Sequence, residues 1–167
     1  NGACRSTPRP GGITGVAVVL SLDAGTTSVR TVAVDETGVV VDSAQQEFPQ
    51  YFPRLGWVEH DAEEIWEAAS FTLSLVARRQ AEIGTPIAAV GIANQRETGV
   101  AGEAATYRPR HPANVWQARR TAVRCRALAP EGRRDEGRRM TRLAPDPYCS
   151  ARKFQQSRRD ARRVTSK

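Results

Sequence analysis

Residues 20–42 read LSLDAGTTSVRTVAVDETGVVVD. An apolar strand runs into Asp23, then Gly25, Thr26, Thr27 and Ser28, and a second strand follows over Val29–Val34. Asp35-Glu36-Thr37-Gly38 is a turn, with Gly38 free to take positive φ. Val39–Phe48 returns as a third strand, completing an antiparallel meander. A bare hairpin needs a turn residue or two, not four small residues of which three carry hydroxyls. The extra polar equipment suits a phosphate tail: Gly25 allows close backbone approach, and Thr26, Thr27 and Ser28 add N–H and hydroxyl donors. Asp23 at the strand end can hold Mg²⁺, usually through water, and Arg30 can offset phosphate charge. Read alone, Asp23–Arg30 is equally a β-turn rich in small residues.

Outward from this stretch, Val16–Leu22 is a short apolar run with β-branched residues, read as the first, buried strand. After an aromatic and proline-bearing loop over 48–58, Asp61 is placed to N-cap a helix, with Glu64 three residues on as a capping-box partner. Ile65, Trp66, Ala69, Leu73 and Val76 recur at helical spacing, and Gly84 and Pro86 stop the helix. Ile87–Ile92 is a fourth strand. Strand–helix–strand alternation after a meander predicts an α/β layer fold. Residues 1–15, with Pro8, Pro10, Gly11 and Gly12, read as a disordered leader. Beyond Thr98 the pattern thins. Residues 114–128 are expected to form a helix, Pro130–Arg142 is charged and weakly patterned, and 154–167 reads as a basic tail.

Of the 167 residues, 1–98 hold 7 basic and 12 acidic side chains, whereas 99–167 hold 18 and 6. The second half is therefore strongly basic, which raises a nucleic-acid-binding module over residues 119–167 as an alternative. Aromatics for stacking there are only Tyr148 and Phe154, so nucleic acid is not the expected partner. Cys4, Cys125 and Cys149 are odd in number and none is in CxxC spacing, which argues against a disulfide framework or a zinc site. The longest apolar run is far short of the roughly 18 residues a membrane span needs. No export signal is read at the N-terminus, and the expected location is the cytoplasm. His60, beside a helix start, reads as a structural hydrogen-bonder rather than a base; His111 is assigned nothing.

Five segments together resemble the FGGY carbohydrate kinases, and among them the glycerol kinases. They are Asp23–Arg30 (DAGTTSVR), Gly56–Asp61 (GWVEHD), Ile92–Thr98 (IANQRET), Val115–Thr121 (VWQARRT) and Asp146–Ser150 (DPYCS), in that order. The resemblance implies a partial ribonuclease H-like (actin-like ATPase) domain of the α/β class, opening with the meander and followed by a helix and a parallel strand. It places this domain over residues 16–153, well patterned over 16–98 and degraded over 99–153. It implies ATP and Mg²⁺ as cofactors, with Gly25, Thr26, Thr27, Ser28 and Arg30 at the phosphates and Asp23 toward the metal. It implies glycerol as substrate, contacted by Arg96, Glu97, Trp116 and Tyr148. Their chemistry fits: a carboxylate and a guanidinium accept from and donate to adjacent hydroxyls, Trp116 packs on a carbon skeleton, and Tyr148 hydrogen-bonds. Standing alone, Arg96–Glu97 is an ordinary surface ion pair and Trp116 an ordinary core aromatic.

The resemblance also sets expectations about what is missing. Residues 99–113 read GVAGEAATYRPRHPA where the family has an apolar strand, a turn and another strand. Cys149 stands where the family motif has Phe. The catalytic base, an Asp in the family, and the adenosine-binding segments fall beyond residue 167, so no catalytic residue is assigned here and the chain alone is expected to be inactive. Other sugar or polyol kinases of the family are the nearest alternative, and the resemblance leaves oligomerisation of full-length relatives open.

Overall fold

The structure is a computed structural model that describes residues 17–127, 133–142 and 146–164. The leader expected over 1–15 lies outside them. Strands β1 (Val18–Ala24), β2 (Ser28–Val34) and β3 (Val40–Glu47) form the antiparallel meander. A two-residue strand β4 (Glu59–His60) leads into helix α1 (Ala62–Glu82), and β5 (Ile87–Asn94) returns parallel to β1. The sheet order is β3-β2-β1-β5. Strand β6 (Ala113–Asn114) pairs antiparallel with β4, and α2 (Ala122–Ala127), α3 (Arg133–Thr141) and α4 (Ser150–Val164) follow.

Alternation drives the sheet. Val18, Leu20 and Leu22 of β1 and Val29, Thr31 and Ala33 of β2 face inward and are buried, while the residues between them are not. Helix α1 closes this face with a row four residues apart, Ala68, Thr72, Val76 and Gln80. Leu20 and Val18 pack with Ala33, Ala44 and Val76, and Leu22 with Val29, Phe48 and Ala68. Thr31 Oγ1 donates to Thr72 Oγ1 at 3.0 Å, and Thr72 in turn reaches the Ala68 carbonyl, so the buried hydroxyls satisfy one another.

The turn and helix ends follow local chemistry. Asp35 Oδ1 accepts from the backbone N–H of Thr37 and Val39, and Gly38 takes φ 86°. Asp61 Oδ1 accepts from the Glu63 N–H at 2.9 Å as the N-cap. Gly84, at φ 72°, ends α1 with its N–H on the Ala81 carbonyl.

Three local expectations are corrected. Glu64 does not complete a capping box; its Oε1 accepts from the Tyr51 hydroxyl at 2.7 Å. Trp66 is not on the apolar face but 67% exposed, because the buried row falls at 68, 72 and 76. The helix expected over 114–128 is confined to α2. Before it the chain is pulled into β6 and turns, with Val115 N–H on the Val58 carbonyl and Arg119 N–H on that of Gly56. From 133 to 141 and 150 to 164 the basic segments are helical.

Candidate functional site

The carboxyl ends of the parallel strands β1 and β5 open into a hollow of about 260 Å³. Ligand sites of open α/β sheets sit at strand carboxyl ends. Its walls are Asp23, Gly25, Thr26, Asn94, Gln95, Arg96, Trp116 and Tyr148. Three residues singled out for phosphate and metal thus meet three singled out for a polyol. Thr27, Ser28 and Arg30, and on the polyol side Glu97, lie outside that lining. Arg30 is opposite Asp23 in the β1–β2 register, and its guanidinium donates to Gln45 Oε1, whose amide reaches Ser28 Oγ.

Gly25 is set by close approach rather than by handedness. Its N–H donates to the Ser28 carbonyl at 3.0 Å, and a Cβ here would come within 3.0 Å of that same oxygen. The loop is therefore a tight backbone cradle that a side chain would disturb.

Trp116 is 36% exposed, so it is a wall and not a core aromatic. Its indole Nε1–H donates to Thr26 Oγ1 at 3.0 Å, joining the phosphate-type loop to the polyol-type wall. Its ring stands edge-to-face with Tyr148, centroids 6.1 Å apart. Glu97 is not paired with Arg96 as a surface ion pair. Its Oε2 accepts from both the backbone N–H and the hydroxyl of Ser150 at the start of α4. Those bonds, with smaller help from Lys153 and Arg96, hold its carboxyl below the usual range against the opposing effect of burial. Glu97 is also one of few non-glycine residues at positive φ, 65°.

A polar chain underlies the walls. Trp116 N–H donates to Thr98 Oγ1, which donates to Gln95 Oε1 at 3.0 Å. That orients the Gln95 amide toward His60 Nδ1, 3.3 Å away. His60 is buried edge-on against Phe48, and burial lowers its pKa, so it is a neutral structural group as its position beside α1 suggests. The GWVEHD and VWQARRT segments meet through Arg120, which donates to Glu59 Oε1 at 2.9 Å and stacks over Trp57 at 3.9 Å. DPYCS joins them through Arg119 and Asp146, 3.9 Å apart. Sequence reasoning overlooked Asn94, Gln95, Thr98, Ser150 and Lys153; the first three stood in the quoted NQRET stretch and were passed over for their charged neighbours.

Among the described residues no group of three His, Cys, Asp or Glu side chains converges on one point. Asp23 alone offers a carboxylate, which fits a Mg²⁺ held through water and by phosphate oxygens rather than a protein-made cage. The Gly25 cradle and the Thr26 hydroxyl fit phosphate oxygens. No described helix is long and apolar enough to cross a membrane.

Residues 18–166 match the N-terminal domain of the FGGY family of carbohydrate kinases. A glycerol kinase of Ralstonia nicotianae is 50% identical over 137 residues, 81% of this chain and 27% of that protein. A glycerol kinase of Sinorhizobium fredii is 47% identical over 136 residues, with the same coverage. The chain thus spans about 27% of the length of the curated relatives it matches. Among solved structures, Plasmodium falciparum glycerol kinase with ADP superposes with a TM-score of 0.78 at 26% identity, over 83% of this chain and 28% of that one. A ligand-bound xylulose kinase from Lactobacillus acidophilus gives 0.80 at 18% identity, over 91% and 30%, and shares the fold. The chain belongs to the FGGY family of carbohydrate kinases, in the stretch that forms their N-terminal domain.

Proposed function

We propose that this chain is the N-terminal, substrate- and phosphate-binding part of a cytoplasmic ATP-dependent glycerol kinase, which converts glycerol and ATP to sn-glycerol 3-phosphate and ADP. The observation that carries the reading is the indole bond from Trp116 to Thr26. It makes one hollow of the Asp23 loop and the Arg96, Trp116, Tyr148 wall. In this reading Glu97 and Arg96 accept from and donate to neighbouring hydroxyls, Trp116 covers the carbon chain, and Tyr148 adds a hydrogen bond. Gly25, Thr26, Thr27 and Ser28 take phosphate oxygens, Arg30 offsets their charge, and Asp23 orients Mg²⁺ through water, which when bound neutralises the β- and γ-phosphate oxygens. The base that would remove the hydroxyl proton is not assigned among these residues.

Glycerol titrated into the ¹⁵N-labelled chain tests this. The Trp116 indole resonance is expected to move with glycerol, less with a five-carbon sugar, and not in Arg96→Ala. An indole that stays put up to roughly 100 mM glycerol, far above a millimolar Kd, refutes the polyol assignment. Glycerol-dependent ATP turnover that disappears in Asp23→Ala and Arg96→Ala overturns the expectation that the chain alone is inactive. DNA binding that falls steeply with salt supports the basic-module alternative instead.

A further inference from the structure

We propose that Lys153 is the positioning residue of the polyol wall: its ammonium gathers the main-chain carbonyls of Glu97, Trp116 and Tyr148 into one place. This deepens the glycerol reading and rests on it for the name of the ligand, although the clamp itself does not. Lys153 is 1% exposed. Its Nζ donates to the Glu97 carbonyl at 2.8 Å, to that of Tyr148 at 2.6 Å and, more loosely, to that of Trp116 at 3.4 Å. Those acceptors lie 56, 5 and 37 residues away along the chain. All three are gripped by the backbone, which leaves the Trp116 and Tyr148 side chains on the hollow and the Glu97 carboxylate on Ser150. An ammonium has three donors and no acceptor, so three carbonyls satisfy it.

Two further observations point the same way. The chain holds 25 Lys and Arg together, yet only Lys153 and Lys167 are lysines. A guanidinium's five donors diverge in one plane, whereas an ammonium directs three protons from a single atom. The first turns of α4 also hold the Glu97 segment at three points. Ser150 takes the Glu97 carboxylate, Lys153 takes its carbonyl, and the Phe154 ring lies where a Cβ on Gly99 would come within 3.3 Å. Glu97 keeps its positive φ between two of these grips. Burial lowers the Lys153 pKa, and the Glu97 carboxylate counters that.

The test uses the full chain with ¹⁵N-labelled lysine, which gives only two ammonium signals. The Lys153 signal is expected to persist at neutral pH, with proton exchange far slower than that of free lysine. Lys153→Met keeps the volume and removes the donors. It is expected to raise the exchange rate of the Trp116 indole proton at least tenfold and weaken glycerol binding at least tenfold, with amide shifts over α1 (Ala62–Glu82) unchanged. Lys153→Arg, with the charge but not the shape, is not expected to restore either. A Lys153 ammonium exchanging as fast as that of free lysine, or a Lys153→Met chain with unchanged indole exchange, overturns the proposal. If Lys153→Met does not fold, the ammonium spectrum of the unaltered chain still decides. If glycerol moves nothing in the unaltered chain, the polyol reading fails, and the indole exchange still judges the clamp.

Discussion

Replacing Arg120 by Met should cost about 3 kcal/mol of stability and loosen the candidate site with it. The guanidinium is 8% exposed and sits between the Glu59 carboxylate, 15% exposed, and the Trp57 ring. Removing one member of a buried ion pair leaves the other charge dry and unpaired, at about 3–5 kcal/mol. Glu59 retains some exposure, which places the loss at the lower end. The stacking on Trp57 is carried by the same cation, so its ~1–2 kcal/mol is not added separately. In a urea titration with an m-value of about 1.5 kcal/mol/M, the midpoint falls by about 2 M with the slope unchanged. The double variant Arg120→Met, Glu59→Gln removes the stranded charge as well and should recover about 2 kcal/mol. The same lesion frees the chain next to Trp116, so indole exchange should quicken in the single variant and recover in the double. A single-variant loss under about 1 kcal/mol would falsify the buried pair as the tie between the GWVEHD and VWQARRT segments. A double variant as unstable as the sum of the two singles would show that Glu59 is not what Arg120 was paired to.

Gly25→Ala should weaken binding of the non-hydrolysable ATP analogue AMP-PNP with Mg²⁺ by at least tenfold, because the new methyl meets the Ser28 carbonyl at 3.0 Å and spreads the cradle; unchanged affinity in calorimetry refutes the cradle. Glu97 has its pKa below the usual 4.5 because Ser150 donates to it, so its contribution to stability is present above about 4.5 and is lost as pH falls through the lower folded value. Glu97→Gln should therefore flatten the acid limb of stability against pH in that window and leave neutral-to-alkaline slopes alone. An acid limb as steep as in the parent, sustained by the similarly lowered Asp35 and Glu103, removes Glu97 from the account.

The parts of this fold that were legible in the sequence are the parts decided locally. Strand alternation in β1 and β2, the Asp35 turn, the Asp61 cap and the Gly84 stop each depend on residues a few positions apart. The stretch 114–128 was misread because Trp116, Arg120 and Val123 do recur at helical spacing. What overrides that spacing is distant: the carbonyls of Gly56 and Val58 and the Glu59 carboxylate. Trp66 falls at helical spacing with Ala69 and Leu73, and only the placement of the sheet decides that the buried row runs through Ala68, Thr72 and Val76 instead. In the site, the motif residues were visible as chemistry, but the way Glu97 is held was not. Its partner Ser150 lies 53 residues away, and nothing near Glu97 in sequence announces it. Lys153 was in plain view within DPYCSARK, and its rarity among arginines was the one available signal.

The sheet is unequally covered, and the site sits at the end of its barest strand. The β1–β5 register sets Val90 beside Leu20 and Ile92 beside Leu22, on the face that α1 closes over β1 and β2. Yet Ile92 is 76% exposed and every residue of β5 is open to solvent, because α1 lies over the other three strands. An apolar strand at the end of a sheet order is a surface that invites pairing or burial by something else. The hollow lies at the end of this strand, with Asn94 as one wall, and its other walls are tied together by hydrogen bonds. The Gln95 N–H sits on the Ala24 carbonyl, the Trp116 indole on Thr26, Glu97 on Ser150, and Lys153 on three carbonyls. Directional hydrogen bonds between loops hold their geometry where an apolar core would need its other half. Those bonds set Asp23, Gly25, Thr26, Arg96, Trp116 and Tyr148 around one hollow beside an uncovered strand.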